Sequence, residues 1–367
     1  MNSLTSVPPQ ALSALIVDLS AIRRNYRTLR RTFSGEKVGA MIKDNAYALG
    51  VEGIAPALAQ EGCRDFFVST IEEGMDVKRY IPQEASVYIL NGAYQGAEDL
   101  ILQHNFIPTL ITYEQIERWA ALAQQKGIRL KTVIHIDTGM SRTGLSEDET
   151  ERLIQNLSLL DKLDIQYWMS HLACSDLPDH PMNQRQLERF HAITQRLPKA
   201  PKSFVNSDGI FLEPRYHFDL ARPGLSLYGL NTVSDTLEPA IELYAKILQI
   251  RDVKAGDSIG YEATYTFDKP GRVGILPVGY AQGTSTHLSN LAHVAIEGTL
   301  APIRGRVSMD LMGIDISHFP KNKIKENQWV EVLGKNISPK ALAKAGRTIT
   351  YEIILCIRNH FKVYRED

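Results

Sequence analysis

The sequence predicts an α/β protein in which an N-terminal (β/α)8 barrel of the TIM type, residues 1–232, precedes a mainly β domain, residues 233–367. Eight short apolar runs occupy about the first 230 residues, and amphipathic helical patterns separate most of them. Beyond residue 231 the apolar runs become shorter, with little helix between them. Alternating strands and helices are typical of a parallel sheet, and eight strands in roughly 250 residues favour a closed barrel. A doubly wound sheet is the structural alternative.

The predicted barrel strands are the eight apolar runs, which cover residues 38–43, 65–70, 86–92, 107–111, 130–138, 165–172, 202–207 and 218–227. Helical patterns between them cover residues 51–61, 113–126, 147–159 and 183–197. In the helix predicted over 113–126, Ile116, Ala120 and Ala123 share one face at helical spacing. Gly127 follows as a C-terminal cap.

The second predicted domain contains short strands at residues 245–250, 273–277, 293–296, 313–316 and 329–333. Turn signals such as Ala255-Gly256-Asp257 and Lys269-Pro270-Gly271 separate these strands. Residues 339–358 are predicted to be helical in part, and an N-terminal strand at about residues 12–18 could pack with this domain.

Composition excludes several classes of function. Lys and Arg total 41 against 42 Asp and Glu, so the chain has no net field that would attract nucleic acid or an anionic membrane. The three cysteines form no C-x-x-C pair, and we therefore expect neither a disulfide framework nor a metal site. Without a signal-peptide pattern or an apolar stretch of about 18 residues, the sequence predicts a cytoplasmic protein.

A (β/α)8 barrel carries its functional groups where its strands end, at the C-terminal edge. The first predicted strand ends in Lys43, whose amine we therefore expect at the barrel mouth. One interpretation is a strand-end lysine that reaches solvent. The other is a Schiff-base lysine, which reacts in its unprotonated form.

The fifth and sixth predicted strands end in candidate polar residues. Asp137-Thr138-Gly139 forms a tight turn that could bring Arg142 over the mouth, where a guanidinium is suited to oxygen anions. A plain loop with a capping aspartate is the alternative. Ser170-His171 ends the sixth strand, and His171 could be structural or functional.

The seventh and eighth strands end where such barrels often bind phosphate. Asn206-Ser207 places a hydroxyl beside a glycine turn, and Arg222-Pro223-Gly224 lets backbone N–H groups approach an anion. A salt bridge under the strand is the structural alternative for Arg222. Two such ends and a lysine on the first strand favour pyridoxal phosphate over a sugar phosphate.

Nine motifs together resemble the alanine racemase family in order and spacing, over essentially the whole chain. In the barrel they are Lys43-Asp44-Asn45-Ala46-Tyr47, Asp137-Thr138-Gly139-Met140-Ser141-Arg142, Ser170-His171, Asn206-Ser207 and Arg222-Pro223-Gly224. In the second domain they are Gly260-Tyr261, Gly279-Tyr280-Ala281, Gly305-Arg306-Val307-Ser308-Met309-Asp310 and Thr350-Tyr351-Glu352.

The resemblance implies a homodimeric isomerase that interconverts L-alanine and D-alanine and supplies D-alanine for peptidoglycan. It implies that Lys43 carries pyridoxal 5'-phosphate and that Tyr261 is the opposing base, acting on the cofactor of the other subunit. The active site would then be shared between subunits.

The resemblance also assigns the remaining contacts. The phosphate would be held by Ser207, Tyr351 and the backbone of Gly224 and Leu225, with Tyr47 and Asn206 also at the cofactor. Other roles would be divided among four residues: Arg222 at the pyridine nitrogen, His171 beside the ring, Arg142 near the phenolic oxygen and the substrate carboxylate, and the Met309 N–H at that carboxylate.

This sequence departs from the family pattern at several positions. His135 stands where many members have a lysine that is modified to a carbamate, which a histidine cannot form. It could accept a hydrogen bond from Arg142 or leave that side chain freer. Other departures are Ala48-Leu49 after Tyr47, Gln282 in place of aspartate, Ser308 in place of cysteine, and the absence of arginine in residues 284–287. These changes bear on dimer contacts and substrate preference.

Three other functions are compatible with parts of the pattern. A racemase for another amino acid, such as serine or lysine, would use the same chemistry with a different pocket. A related barrel decarboxylase would need a different second-domain signature from the one around Tyr261 and Met309. A non-catalytic cofactor-binding protein would not need a tyrosine on a second domain.

Overall fold

The structure is a computed structural model that describes residues 2–230 and 233–366. It divides the chain into two compact units, Ala21–Glu238 on the one hand and Met1–Ser20 with Pro239–Asp367 on the other. The domain boundary predicted after residue 232 lies outside the described residues. None of the helices in the described ranges has the length and apolar character that a membrane span requires.

The first unit is a barrel of parallel strands. The first strand in the chain, β1 (Ser13–Asp18), belongs to the second unit. The strand segments of the barrel are β2 (Lys37–Val38), β3 (Ala40–Met41), β4 (Asp65–Val68), β5 (Ser86–Ile89), β6 (Ile107–Leu110), β7 (Leu130–His135), β8 (Leu163–Met169), β9 (Lys202–Ser203) and β10 (Leu220–Ala221). Each pairs in parallel with its neighbour in the order β2-β10-β9-β8-β7-β6-β5-β4-β3.

Only Gly39 separates β2 from β3, so residues 37–41 act as one barrel strand that closes the sheet. A Cβ at Gly39 would lie 2.8 Å from the Asp65 carbonyl oxygen, which explains the glycine at this crossing. The sheet segments therefore form eight barrel strands, and each overlaps one predicted apolar run. The prediction of a (β/α)8 barrel is confirmed.

Helices surround the barrel. They are α1 (Leu19–Thr32) and, after the left-handed turn α2 (Lys43–Tyr47), α3 (Val51–Gln60), α4 (Ile71–Val77), α5 (Glu98–Gln103), α6 (Tyr113–Lys126), α7 (Glu147–Gln155) and α8 (Pro181–Thr194). Helix α6 has the predicted bounds, because Thr112 caps its first turn and Gly127 ends it at φ 67°. Helix α7 is shorter than predicted, since Asn156 leaves the helical region at ψ 53° and a 3-10 turn, Leu157–Lys162, follows.

The second unit is mainly β. Its further strands are β11 (Ile241–Lys246), β12 (Gln249–Val253), β13 (Ser258–Ile259), β14 (Tyr265–Thr266), β15 (Gly271–Leu276), β16 (His293–Ile296), β17 (Thr299–Arg304), β18 (Met312–Asp315), β19 (Trp329–Leu333) and β20 (Phe361–Arg365), with helices α9 (Pro339–Ala345) and α10 (Thr350–Leu355). The main sheet has the order β12-β15-β18-β17-β16-β19-β11-β1-β20. The single run predicted at 245–250 is divided, because β11 pairs with β1 and β19 whereas β12 pairs with β15.

Strand β1 lies inside this sheet, antiparallel to β11 and parallel to β20. All six of its residues are buried. Arg365 on β20 forms ion pairs with Asp18 at the end of β1 and with Glu242 on β11, and these pairs hold the last strand at the sheet edge. The N-terminal strand is thus an integral part of the second unit.

Candidate active site

The predicted barrel residues meet at the C-terminal edge of the parallel strands. Lys43 follows β3, His135 ends β7, and His171 and Arg222 follow β8 and β10. Burial lowers the pKa of His171 well below its usual value, and the charges of Arg222, Arg142, His135 and Lys43 lower it further. These side chains therefore lie around one mouth, as the barrel rule requires.

The backbone immediately after Lys43 is left-handed. Five consecutive non-glycine residues, Asp44 to Ala48, have φ between 51° and 66°. L-residues enter this region at a cost of about 1–2 kcal/mol each, so a run of five stores a large strain. Hydrogen bonds of 3.0 Å from the Ala46 N–H to the Ile42 carbonyl and of 2.8 Å from the Ala48 N–H to the Asp44 carbonyl offset part of it. The one local signal of this turn is the pair Asp44-Asn45, since Asp and Asn tolerate this region better than most residues.

Ser207 and the segment after Pro223 form a cradle of the kind that binds phosphate. The Ser207 Oγ accepts hydrogen bonds from the N–H of Gly224 at 2.9 Å and of Ser226 at 3.3 Å. The buried hydroxyl of Ser226 has no hydrogen-bond partner among the described residues. Backbone N–H groups that converge in this way make an anion-binding concavity.

Gly224 also brings Tyr47 to this cradle. A Cβ at Gly224 would lie 2.2 Å from the Tyr47 hydroxyl oxygen, so only glycine allows the ring its place. The Tyr47 ring lies 5.3 Å from that of Tyr228, centroid to centroid, and both are buried. The left-handed turn after Lys43 thus places a phenol beside the backbone that follows the last barrel strand.

Arg222 is 2% exposed and forms no ion pair with a carboxylate in the described part of the chain. Its guanidinium donates to the Ser203 hydroxyl and, at 2.7 Å, to the Ser170 carbonyl, and it lies 3.4 Å from Nδ1 of His171. Burial and the charge of Arg142 lower the pKa of Arg222 to about 9, so it stays a cation at neutral pH. A buried cation without a carboxylate fits a site that receives an anionic or acceptor-bearing ligand.

The loop that carries Arg142 is organised by Asp137. Its carboxylate accepts hydrogen bonds from the N–H groups of Gly139 at 2.8 Å, Met140 at 2.9 Å and Ser141 at 2.9 Å. Arg142 itself is exposed, and among the described residues its guanidinium has no hydrogen-bond or ion-pair partner. The cation is therefore held near the mouth by its loop.

His135 does not hydrogen-bond to Arg142. Its Nδ1 lies 3.5 Å from the Thr143 hydroxyl. Burial, followed by the charges of Arg222 and Arg142, lowers the pKa of His135 to about 3, so the ring is neutral at physiological pH. A neutral ring at this position leaves Arg142 without an anionic partner on the barrel side.

Gln186 on α8 is a supporting residue that the sequence did not reveal. Its fully buried amide donates to the His171 carbonyl at 2.8 Å and to the Thr138 hydroxyl at 3.1 Å. The Thr138 hydroxyl in turn lies 2.8 Å from that of Ser170. A glutamine on the buried face of the predicted helix was the available signal.

The side chain of Asn206 bonds to its own loop and to the loop that follows β8. Its carbonyl oxygen accepts from the Ser175 hydroxyl at 2.7 Å and from the Gly209 N–H at 3.1 Å. These bonds connect the 3-10 turn after Ser207 to the neighbouring loop.

The second unit presents its predicted residues at its surface. Tyr261 is 71% exposed and follows Gly260, whose φ of 78° turns the chain. A pocket of about 390 Å³ opens beside it, with Arg306, Ser308 and Met312 among its lining residues. Tyr351 is the second residue of α10 and is 36% exposed.

Met309 lies on a loop that is tied to residues 279–283. The Met309 carbonyl accepts from the Ala281 N–H at 2.9 Å, and the Gln282 amide donates to the Asp310 carboxylate at 2.9 Å. Glutamine at 282 therefore forms a hydrogen bond where a second carboxylate would face Asp310. The Met309 side chain is 55% exposed.

Comparison with known proteins agrees with this geometry. Residues 17–232 match the family described as "Alanine racemase, N-terminal domain", and residues 240–364 match "Alanine racemase, C-terminal domain". The chain belongs to the alanine racemase family. This family is pyridoxal-phosphate-dependent, and both its barrel and its mainly β domain are present here.

Relatives in the family are similar over almost their whole length. The alanine racemase of Brucella abortus (strain 2308) is 38% identical over 367 residues, 95% of this chain and 93% of that protein. The alanine racemase of Rickettsia canadensis (strain McKiel) is 39% identical over 352 residues, 96% of this chain and 98% of that protein. The crystal structure of alanine racemase from Bartonella henselae with covalently bound pyridoxal phosphate superposes with a TM-score of 0.94 at 36% identity, covering 97% of this chain and 100% of that one.

The neutral state of His135 predicts a pH dependence of stability. Its folded pKa of about 3 lies below the ordinary value of 6.5, so between these values the unfolded chain binds a proton that the folded chain does not. The free energy of unfolding should therefore fall as the pH drops through this window and be unaffected by this group above it. In His135→Gln the fall should be shallower by up to about 1.4 kcal/mol per pH unit. Denaturant unfolding of both proteins across this window tests this, and equal slopes would contradict it.

Proposed function

We propose that the protein interconverts L-alanine and D-alanine with pyridoxal 5'-phosphate attached to Lys43. The observation that carries this proposal is the barrel mouth, where Lys43 lies in one cluster with an anion cradle and with buried Arg222, which pairs with no carboxylate in the described ranges. Family membership supports the same reaction. The D-alanine formed would supply peptidoglycan synthesis in the cytoplasm.

The residues present fit the cofactor. Ser207, with the backbone of Gly224 and Leu225, would hold the phosphate. The Ser226 hydroxyl, which has no hydrogen-bond partner among the residues that the structure describes, belongs to the same cradle. Tyr47, Asn206 and Tyr351 would complete that site. When bound, the cofactor supplies an electron sink that stabilises negative charge at the substrate's α-carbon.

Arg222 would donate a hydrogen bond to the pyridine nitrogen, with His171 beside the ring. A guanidinium has no acceptor capacity and keeps its proton, so the ring nitrogen opposite it stays unprotonated. Arg222 would thereby limit how strongly negative charge is drawn into the ring, which would favour return of the proton over side reactions such as transamination.

Two bases on opposite faces would move the α-proton. In each direction one of the two groups, Lys43 or Tyr261, would accept the proton in its unprotonated form, and the other, protonated, would donate a proton to the opposite face. Arg142 and the Met309 N–H would bind the substrate carboxylate and so fix which faces the two bases meet.

We further propose that the working form is a homodimer in which the β domain of one subunit supplies Tyr261 and Met309 to the barrel of the other. The exposure of Tyr261 and Met309 supports this arrangement, because catalytic groups of a complete site are seldom so open to solvent.

The central test is the visible spectrum of the purified protein, followed by conversion of L-alanine to D-alanine. We expect a lysine-bound cofactor band and rapid formation of D-alanine. Lys43→Ala should lose the band and lower turnover by about 10²–10⁴-fold or more. A band without alanine turnover would redirect the proposal to another amino acid, tested with a panel that includes serine and lysine. No band after addition of pyridoxal phosphate would refute the proposal.

Tyr261→Phe should separate the two bases. This variant lacks the phenol that would remove the α-proton of one enantiomer. Exchange of the α-hydrogen with D2O should therefore slow by about 10²–10⁴-fold for that enantiomer and far less for the other. Exchange is followed by NMR for L-alanine and D-alanine separately. An equal loss for both enantiomers would contradict the assignment of Tyr261 and Lys43 to opposite faces.

The histidine at position 135 should make activity independent of carbon dioxide. Because this ring forms no carbamate, turnover in degassed, bicarbonate-free buffer should equal turnover in buffer with added bicarbonate. Stimulation by bicarbonate would show that another residue takes up the carbamate role.

A further inference from the structure

We propose that Glu73 is a positioning residue for Lys43, because its carboxylate clamps the first peptide of the left-handed turn that follows the lysine. This inference rests on the proposed attachment of pyridoxal phosphate to Lys43. It concerns how the chain holds that lysine ready at the barrel mouth.

The Glu73 carboxylate bridges two strand ends. Its Oε1 accepts a 2.7 Å hydrogen bond from the Asp44 N–H, one residue after Lys43. Its Oε2 accepts from the N–H of Ser69 at 2.7 Å and of Thr70 at 3.3 Å, at the start of α4. The Glu73 N–H donates in return to the Thr70 hydroxyl at 3.3 Å, which completes a capping box.

The bond to Asp44 acts where the strain begins. Asp44 is the first of the five residues with positive φ, and its N–H belongs to the peptide group that joins it to Lys43. The turn's internal hydrogen bonds start later, at the Ala46 N–H. A charge-assisted bond at this peptide therefore opposes the relaxation of the turn toward an ordinary backbone. Such a relaxation would swing the lysine Cα–Cβ bond and move its amine away from the mouth.

Glu149 offers a matched comparison within the same barrel. It forms the same capping box with Ser146 at the start of α7, accepting from the Ser146 N–H at 2.9 Å. Its other oxygen also bridges to a second element, accepting from the Tyr113 N–H at 2.9 Å. Tyr113 follows Thr112, whose φ of −134° is ordinary extended backbone. Both glutamates thus cap a helix and bridge to a second element, but only Glu73 bonds to a strained turn next to a lysine.

The experiment compares Glu73→Gln with Glu149→Gln in the full-length protein. Glutamine can still cap a helix but has one acceptor oxygen instead of two, so each variant loses one side of its bridge. We expect similar decreases in thermal stability. Only Glu73→Gln should accelerate amide hydrogen exchange in residues 44–48 of the cofactor-free protein, by about tenfold or more. Only this variant should also slow the attachment of pyridoxal phosphate to Lys43, measured by borohydride trapping and peptide mapping, by a similar factor.

The outcomes are distinguishable. If wild type traps pyridoxal phosphate on Lys43 and the two variants match in exchange and trapping, the positioning role is overturned and the proposed function stands. If wild type traps none, the proposed function is refuted, and the inference that rests on it falls too. Should either glutamine variant fail to fold, Glu73→Asp and Glu149→Asp make the same comparison, because a shorter carboxylate keeps its charge but cannot span both contacts.

Discussion

The buried guanidinium of Arg222 is the constraint around which the barrel mouth is built. A cation removed from water must have its N–H groups satisfied, and here the Ser203 hydroxyl and the Ser170 carbonyl accept them. Burial, and after it the charges of Arg222 and Arg142, lower the pKa of His135 and His171 and make their protonation unfavourable. The mouth therefore contains fixed cations and two neutral rings. That arrangement favours a ligand that brings negative charge or hydrogen-bond acceptors.

Closure of the barrel puts the lysine at this mouth. Residues 37–41 pair with the last strand on one side and the second on the other, so the chain must leave the sheet immediately afterwards. It leaves through a left-handed turn, which returns Tyr47 to within contact of Gly224. The strain of that turn is sustained by bonds from outside it, and this is the usual condition for strained backbone at a functional site. The Glu73 bridge is one such bond.

In the second unit the predicted site residues Tyr261 and Met309 lie on loops. The sheet that carries these loops and the hydrogen bonds between loops hold them in place. Gln282 connects one loop to two other segments. Its side chain donates to Asp310, and its carbonyl accepts from His360 at 2.8 Å. His360 also lies 2.8 Å from the Ser13 hydroxyl on β1. The N-terminal strand thereby supports a loop that is more than 250 residues away in sequence.

Much of the architecture could be predicted because it depends on local properties. Apolar runs predicted the eight barrel strands, and helical spacing with the cap Gly127 predicted the bounds of α6. The motifs at strand ends gave Lys43, His171, Ser207 and Arg222, since the barrel rule converts position in sequence into position at the mouth. The chain's own residue types also determined that position 135 cannot form a carbamate.

The tertiary structure alone decided how these residues are held and charged. Glu73 reaches Asp44 across 29 residues, and Gln186 reaches Thr138 across 48. No local pattern specifies such pairs, because they depend on which strand ends become neighbours when the barrel closes. The neutral state of His135 and His171 could not be predicted from the sequence for the same reason, because the pKa of a side chain depends on burial and on charges that folding brings near. The sequence determined which groups the protein has, and folding determined their backbone conformation, protonation and contacts.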